Sequence, residues 1–227
     1  MCMPILKRVN QEFFKIWSPK MAYVLGFFAA DGSMYRSRRS GYYLSFYSND
    51  REIIEKIKLV MGAEHKIGER KIDRSSSHKR YTLQIGSKKL YGQLLELGMC
   101  EAKSKVLQFP KVPDEFLAHF VRGYFDGDGN ITAKEYSRLN RKNCHYYFAV
   151  KFISGSLPFL RALRIRIREE AGVGEGSLFN GTRSFVLSYA KKDSKSLCVF
   201  MYSGVDEGLY LKRKYLVYTE AKKIMER

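Results

Sequence analysis

A nine-residue pattern occurs twice in this chain, at 24–32 and 121–129, and it limits how the rest can be arranged. In both stretches a glycine is followed five residues later by an Asp-Gly pair. Each stretch ends a helix-like run that opens at Ser18-Pro19 or at Pro113, and the glycine of the Asp-Gly pair is a typical helix stop. One copy would be an ordinary glycine-ended helix with an acidic last turn. Two copies with identical spacing indicate a repeated structural unit.

Small residues recur four positions apart within each copy. Residues at that spacing share one helix face, and small side chains there let two helix backbones approach closely. We therefore predict that the two helices pack against each other through four interface residues, Gly26, Ala30, Gly123 and Gly127.

The predicted helix pair would bring two carboxylates together, Asp31 and Asp128. This is an unfavourable place for both, because the C-terminal end of a helix is electrically negative and the two charges repel each other. A divalent cation bound between them would relieve both penalties. The pattern therefore predicts a metal site where the helices end.

These two stretches resemble the motifs of the LAGLIDADG homing endonucleases, in the single-chain form that carries both. The resemblance implies an α+β fold of two pseudo-twofold-related halves, each α-β-β-α-β-β-α. Their antiparallel sheets would form a DNA-binding saddle and be joined through the two motif helices. The coarse secondary structure repeats in this order, and it predicts a lead-in segment at 1–17, a first half at 18–102, a linker at 103–113 and a second half at 114–227. We expect the lead-in to form a short amphipathic helix that packs Phe13, Phe14 and Trp17 on the body.

The resemblance also assigns metal ligands. In that family the acid before the final glycine binds the catalytic metal, and it maps to Asp31 and Asp128. The main-chain carbonyls of Ala30 and Gly127 would add further ligands. The expected cofactor is Mg²⁺, and Mn²⁺ or Ca²⁺ could occupy the same site.

Two lysines and one further acid are also implied. The family carries a lysine near the start of the segment that follows the third helix of each half. Lys103 and Lys212 match it best as catalytic helpers, with Lys105 and Lys214 close by. Another acid of the motif maps to Asp126, where the first copy has alanine. Since it lies two residues before the metal-binding acid, it should point away, and we interpret it as a cap or surface residue.

The charge of the chain favours a polyanionic partner. Lysine and arginine number 41 against 23 acidic residues, a formal net charge of +18. Nucleic acid is the first candidate and an anionic membrane surface the alternative. No apolar run approaches the roughly 20 residues needed to span a membrane, and the basic residues are not gathered on one amphipathic helix. We expect double-stranded DNA as the partner of a monomer, with no membrane and no obligate protein partner.

Strand alternation predicts which side chains face that partner. Apolar positions face the helices, and the opposite face is polar, aromatic or basic, although such a face can also simply be solvated. Strands in the major groove can read base edges, whereas hairpin tips (Arg39, Arg138, Arg141 and Lys142) should contact phosphates. The predicted DNA-binding residues are Tyr35, Arg38, Tyr43, Ser45, Tyr47, Arg70, Arg80, Thr82, Gln84, Asn130, Thr132, Lys134, Tyr147, Lys151 and Ser188.

The function that we expect is site-specific, metal-dependent cleavage of double-stranded DNA. One alternative is an intron maturase or a DNA- or RNA-binding regulator that does not cleave. Another is the endonuclease part of an intein. The chain has no splicing-block cysteine or serine at its start and no terminal His-Asn, so an intron-encoded, free-standing protein is expected. Four scattered cysteines without metal-site spacing indicate an intracellular protein, in a prokaryotic cytoplasm or an organelle.

Overall fold

The computed structural model describes residues 7–71, 79–137, 144–203, 205 and 208–225, which form seven α-helices and eight strands. Both halves have the predicted element order. The first half consists of α1 (Pro19–Asp31), β1 (Gly32–Arg36), β2 (Tyr42–Ser48), α2 (Arg51–Val60), β3 (Ile67–Lys71), β4 (Lys79–Gly86) and α3 (Lys88–Glu96). The second half consists of α4 (Asp114–Asp128), β5 (Gly129–Ser137), β6 (Cys144–Ser154), α5 (Leu157–Ala171), β7 (Ser177–Gly181), β8 (Ser184–Ala190) and α6 (Lys191–Tyr202), and is followed by α7 (Lys212–Met225).

Three of the helices begin where the sequence provides a hydroxyl cap. The side chain of Ser18 accepts a hydrogen bond from the Met21 amide at 3.2 Å, with Pro19 in the first turn of α1. Ser87 caps α3 and Ser156 caps α5 in the same way. These three predicted starts are confirmed.

Each half contains one four-stranded antiparallel sheet. The strand orders are β1-β2-β4-β3 and β5-β6-β8-β7, so the two sheets have the same topology. Leu44 and Phe46 of the first sheet and Phe152 and Leu187 of the second are fully buried beneath the helices of their half. The opposite face of each sheet is therefore free to meet a partner, as the alternation predicts.

The lead-in segment packs on the body, but the predicted helix is wrong. Residues 11–15 form turns instead, because such a short segment gains little from helix nucleation and Gln93 accepts the hydrogen bond of the Phe14 amide at 3.2 Å. Phe13 and Phe14 are buried, and Trp17 stacks on Phe116 with ring centroids 6.0 Å apart.

Some expectations fall on residues that the structure does not describe. The hairpin-tip residues Arg138, Arg141 and Lys142 lie outside the described ranges. Among the helices that are described, none has the length and apolar character required to cross a membrane.

Candidate active site

The two motif helices, α1 and α4, touch through their glycines. A Cβ atom on Gly26 would overlap the carbonyl oxygen of Phe120 and lie 2.9 Å from the Tyr124 nitrogen. A Cβ atom on Gly123 would overlap the carbonyl oxygen of Tyr23 in the same way. The backbones are thus closer than any side chain at these two positions would permit.

The contact continues to the ends of the helices. Gly127 faces the methyl group of Ala30 so closely that a side chain would not fit between them. A Cβ atom on Gly127 would also lie 3.5 Å from the Oδ2 atom of Asp31, so this carboxylate sits beside the last turn of α4. The structure brings all four small residues into one interface, as their spacing predicts.

Asp31 and Asp128 are the last residues of the two helices, and both are half-buried. Burial raises the pKa of Asp31, against the opposing effect of nearby positive charges. Burial, together with the negative charge of Asp31, raises the pKa of Asp128 to about 6. The sequence predicted this juxtaposition, and the effect of the Asp31 charge on the pKa of Asp128 is its electrostatic signature.

Lys103 points from the linker into this site. It lies in a short 3₁₀ turn, is only 5% exposed, and its Nζ atom donates to the carbonyl oxygen of Ala30 at 3.3 Å. Burial lowers the pKa of Lys103 to about 8, although the charges of Asp128 and Asp31 act in the opposite direction. The structure therefore places this predicted lysine at the carboxylate pair.

In the second half, the lysine that reaches this site is Lys214 and not Lys212. The Nζ atom of Lys214 donates to the carbonyl oxygens of Phe125, Asp126 and Gly129, at 3.0 Å for Asp126 and 2.6 Å for Gly129. Lys214 is 3% exposed, and burial lowers its pKa to about 8. Lys212 has an exposed side chain whose charge acts on Glu52 instead. The two lysines lie two positions apart at the start of α7, and only Lys214 faces α4.

Asp126 is buried, which corrects its interpretation as a cap or surface residue. It is 2% exposed and accepts hydrogen bonds from the Tyr23 hydroxyl and the Leu211 amide, each at 2.8 Å. Burial raises its pKa against the favourable charge of Lys214. The carboxylate joins α1, α4 and the start of α7, a long-range contact that local sequence does not reveal.

Arg122 is a second buried charge that sequence reasoning missed. It donates to the carbonyl oxygens of Leu209 at 3.0 Å and Met201 at 2.7 Å, and it contacts His119 Nδ1 at 3.0 Å. These bonds fix the segment that leads into α7. Burial, together with the positive charge of Arg122, lowers the pKa of His119 to about 4.

The atoms available at this site suit a hard cation. The candidate ligands are two carboxylates and the main-chain carbonyls of Ala30 and Gly127, and oxygen atoms are what Mg²⁺ and Ca²⁺ prefer. Within the described ranges, the chain has no group of three or more His, Cys, Asp or Glu side chains that could hold a metal. The burial and mutual repulsion of Asp31 and Asp128 fit a bound cation, because its charge would stabilise both in their ionised form.

A polar cleft of about 150 Å³ opens beside Asp31. Arg80 lines it, and its charge acts to lower the pKa of Asp31. Arg213 lines it too and donates to Asp50 at 3.1 Å. A larger hollow, of about 700 Å³, lies on the outer side of α2 and is not lined by either carboxylate.

The exposed face of the first sheet carries most of the residues predicted for DNA binding. Tyr35 and Tyr43 stack with centroids 5.1 Å apart, and the Arg80 guanidinium lies 5.5 Å from the centre of the Tyr47 ring. Ser45 lies on this face but is fully buried, with Gln84 3.4 Å from its hydroxyl. In the unbound protein Gln84 therefore covers the Ser45 hydroxyl, and contact of Ser45 with DNA stays a prediction.

The second sheet presents the corresponding face. Strand register sets Asn130, Lys151 and Ser188 in one polar row across β5, β6 and β8. The remaining predicted residues are exposed or half-buried, namely Arg38, Arg70, Thr82, Thr132, Lys134 and Tyr147. Alternation could also have indicated Ser33, whose hydroxyl lies 3.1 Å from that of Tyr47 on the first sheet.

Comparison with known sequences finds a family match in the first half of the chain. Residues 18–97 match the family profile described as a LAGLIDADG-like domain. An uncharacterized protein of Methanocaldococcus jannaschii is 24% identical over 127 residues. That match covers 54% of this chain and 43% of the relative, so the chain spans less than half of the relative's length.

Solved structures extend the likeness to both halves. LAGLIDADG meganuclease I-CpaMI, bound to uncleaved DNA, has a TM-score of 0.60 and 12% identity, and the match covers 93% of each chain. Meganuclease I-SmaMI, bound to uncleaveable DNA, has a TM-score of 0.58 and 12% identity, with 91% of this chain and 90% of that chain covered. A mesophilic variant of the homing endonuclease I-DmoI has a TM-score of 0.56 and 17% identity, with 86% and 93% covered. The resemblance predicted from the two motifs is confirmed: residues 18–97 match the LAGLIDADG-like domain profile, and the chain has the two-half fold of the single-chain LAGLIDADG endonucleases.

Proposed function

We propose that this protein is a DNA endonuclease that makes metal-dependent double-strand breaks at a specific target. The observation that carries the proposal is the pair Asp31 and Asp128, half-buried and mutually repelling where α1 and α4 end. Two carboxylates kept in so unfavourable a place, with raised pKa values, are typical of a functional site rather than of a stabilising one. That the protein is encoded within an intron stays a prediction from the sequence.

The metal would be held by the two carboxylates with the carbonyls of Ala30 and Gly127, and Mg²⁺ is the proposed ion. One structure with this fold, that of I-SmaMI with its DNA target, was obtained in the presence of calcium ions. When bound, a divalent cation would stabilise negative charge on the phosphate and lower the pKa of a water molecule. Lys103 has a hydrogen bond to a single carbonyl, so its ammonium group would be free to turn toward a phosphate and stabilise it.

DNA would lie across the exposed faces of the two sheets. The net charge of +18 supports this, as do the exposed Arg38, Arg70 and Lys134 along the strands and their hairpins. The aromatic side chains Tyr35, Tyr43 and Tyr147 add flat apolar area on the same faces. Meganucleases of this fold have been crystallised with DNA, among them I-CpaMI and I-SmaMI.

The first test is to find the target. A plasmid library that carries random sites would be digested with the protein in Mg²⁺ and in EDTA, and the breaks would be mapped by sequencing. We expect breaks at one family of related sites in Mg²⁺ and none in EDTA. Specific DNA binding without breaks in any divalent cation would contradict the proposal and favour a maturase or a regulator.

The second test removes one negative charge at a time. Asp31→Asn and Asp128→Asn keep the side-chain shape, and each should abolish double-strand cleavage of the mapped target. DNA affinity should hold or rise, because a carboxylate repels phosphate when no metal intervenes. Glu115→Gln, an exposed acid at the other end of α4, is the matched control and should cleave normally. Normal Mg²⁺-dependent cleavage by either aspartate variant would refute the mechanism.

A further inference from the structure

Three apolar side chains lie side by side on the exposed face of the second sheet. Ile153 of β6 pairs with Val186 of β8, which pairs with Phe179 of the edge strand β7. All three point away from the helices, because the intervening positions, such as Phe152 and Leu187, are fully buried in the core. We call Ile153, Val186 and Phe179 the apolar strip.

The first sheet has no such strip at the matching positions. Gly32 and Gly129 open the first strand of each half and pair with equivalent residues of the second strand, so the two sheets can be matched position by position. The apolar strip then corresponds to Tyr47, Thr82 and Gly68. Tyr47 and Thr82 can both form hydrogen bonds, and Gly68 has no side chain. The two sheets therefore present different chemistry at the same place.

The strip is exposed mainly at its edge: Ile153 is half-buried, and Val186, at 9% exposed, lies low between its two neighbours. Phe179 is 47% exposed although it lies on an edge strand, where an uncovered aromatic ring invites association. The adjacent row on the same face is polar and contains Lys151. An apolar strip beside a cation on one face of a protein with net charge +18 fits a polyanion that also carries apolar groups.

We infer that the apolar strip contacts the 5-methyl groups of thymines in the DNA half-site bound by the second sheet. This inference rests on the proposed DNA binding. In the major groove the thymine methyl is the apolar group that distinguishes bases, and apolar side chains select it. The matching positions of the first sheet would read the other half-site through the polar groups of Tyr47 and Thr82. The target is therefore asymmetric, with a thymine preference in one half only.

The test removes single methyl groups from the mapped target. Each thymine would be replaced in turn by deoxyuridine, which differs only in lacking the methyl, and affinity would be measured by fluorescence anisotropy in EDTA. We expect a loss of about fourfold, the ratio for one buried methyl group, at one or two thymines of a single half-site. Phe179→Ala and the near-isosteric Val186→Thr should reduce that loss. Val199→Ala, which removes a 48% exposed side chain on α6, is the matched control and should retain it.

The outcomes separate this inference from the proposed function. Tight specific binding with equal response of wild type and both strip variants to every deoxyuridine would overturn the thymine contact and leave the endonuclease intact. Absence of specific DNA binding would overturn both. Circular dichroism would establish that Phe179→Ala is folded, and Val186→Thr gives a second test because it keeps the volume of the side chain.

Discussion

At the scale of single residues, the two buried lysines of the site differ in what they do. Lys214 donates to three carbonyl oxygens at the end of α4, and these acceptors belong to a helix end that would otherwise leave carbonyls unpaired. Lys103 donates to one carbonyl oxygen at a longer distance, 3.3 Å. Lys214 therefore contributes more hydrogen bonds to the fold than Lys103 does.

We predict that Lys214→Met destabilises the protein strongly and that Lys103→Met does not. Loss of three charge-assisted hydrogen bonds at a buried site should cost about 3 kcal/mol or more of unfolding free energy. Lys103→Met should lower the cleavage rate at least about tenfold with only a small change in Tm. Thermal unfolding and single-turnover cleavage would measure the two effects. Lys212→Met, an exposed neighbour, is the control, and a Tm for Lys214→Met equal to that of this control would contradict the assignment.

Acid stability should depend on His119. Its folded pKa of about 4 lies below the ordinary 6.5, so the unfolded chain binds a proton that the folded protein excludes. The stabilisation is complete above pH 6.5 and is lost as the pH falls toward 4, by roughly 1 to 3 kcal/mol. His119→Gln cannot be protonated in this range and should flatten the profile. Urea unfolding at pH 7.5, 6 and 5 would measure it, and parallel profiles for wild type and variant would exclude His119 as the cause.

At the scale of elements, the packing of α1 on α4 depends on two glycines. Gly26→Ala and Gly123→Ala would each drive a methyl group into the backbone of the opposite helix. We expect a loss of at least about 3 kcal/mol of unfolding free energy, together with loss of cleavage, because the carboxylates would move apart. The control is Gly92→Ala in α3, where a new methyl group meets nothing within 4 Å. It should stabilise the protein by up to about 1 kcal/mol.

Chemical denaturation of the three alanine variants gives the comparison directly. If Gly26→Ala were as stable as wild type, the close helix contact would be wrong. If Gly92→Ala were as damaging as the other two, the effect would not be specific to the α1–α4 contact.

Elements that depend on neighbouring residues could be predicted from the sequence. Serine caps set the starts of α1, α3 and α5, and strict alternation set which face of each sheet is buried. The spacing of small residues predicted the contact between α1 and α4, and hence the meeting of Asp31 and Asp128. These features are local, or follow from helix geometry alone.

Contacts made by α7 could not be predicted in the same way. The burial of Asp126 and the choice of Lys214 over Lys212 depend on where α7 docks, some 85 residues further along the chain. A lysine cluster at the start of a helix carries no signal of which member turns inward. For Ser45, alternation predicted the correct face of the sheet, but it could not show that Gln84 covers the side chain.

At the scale of the whole molecule, the two halves bring equivalent groups to one point by different means. Lys103 comes from a short turn in the linker that follows the first half, and Lys214 comes from α7 in the second half. The glycine faces of α1 and α4 cover each other within one chain, so a second copy has no free motif helix to pair with. The proposed endonuclease would accordingly act as a monomer on an asymmetric target.

The charge of the whole molecule predicts how DNA binding responds to salt. With a net charge of +18, association should release counterions, and log K should fall with log salt by about 0.9 per neutralised phosphate, several units in total. Titrations of labelled target DNA in EDTA at several KCl concentrations would give the slope. A flat salt dependence would contradict an electrostatic interface of this size.

Two single variants then test whether the position of a charge determines its effect on DNA binding. Arg70 is exposed on β3, in the first sheet, and Arg70→Ala should reduce the slope by about one unit across different DNA sequences. Arg161→Ala removes an equal charge from the exposed side of α5, the helix that covers the other face of the second sheet, and should leave the slope unchanged. The contrast isolates position from total charge, because both variants have the same net charge. Equal slopes for the two variants would mean that DNA does not lie along the face that carries Arg70.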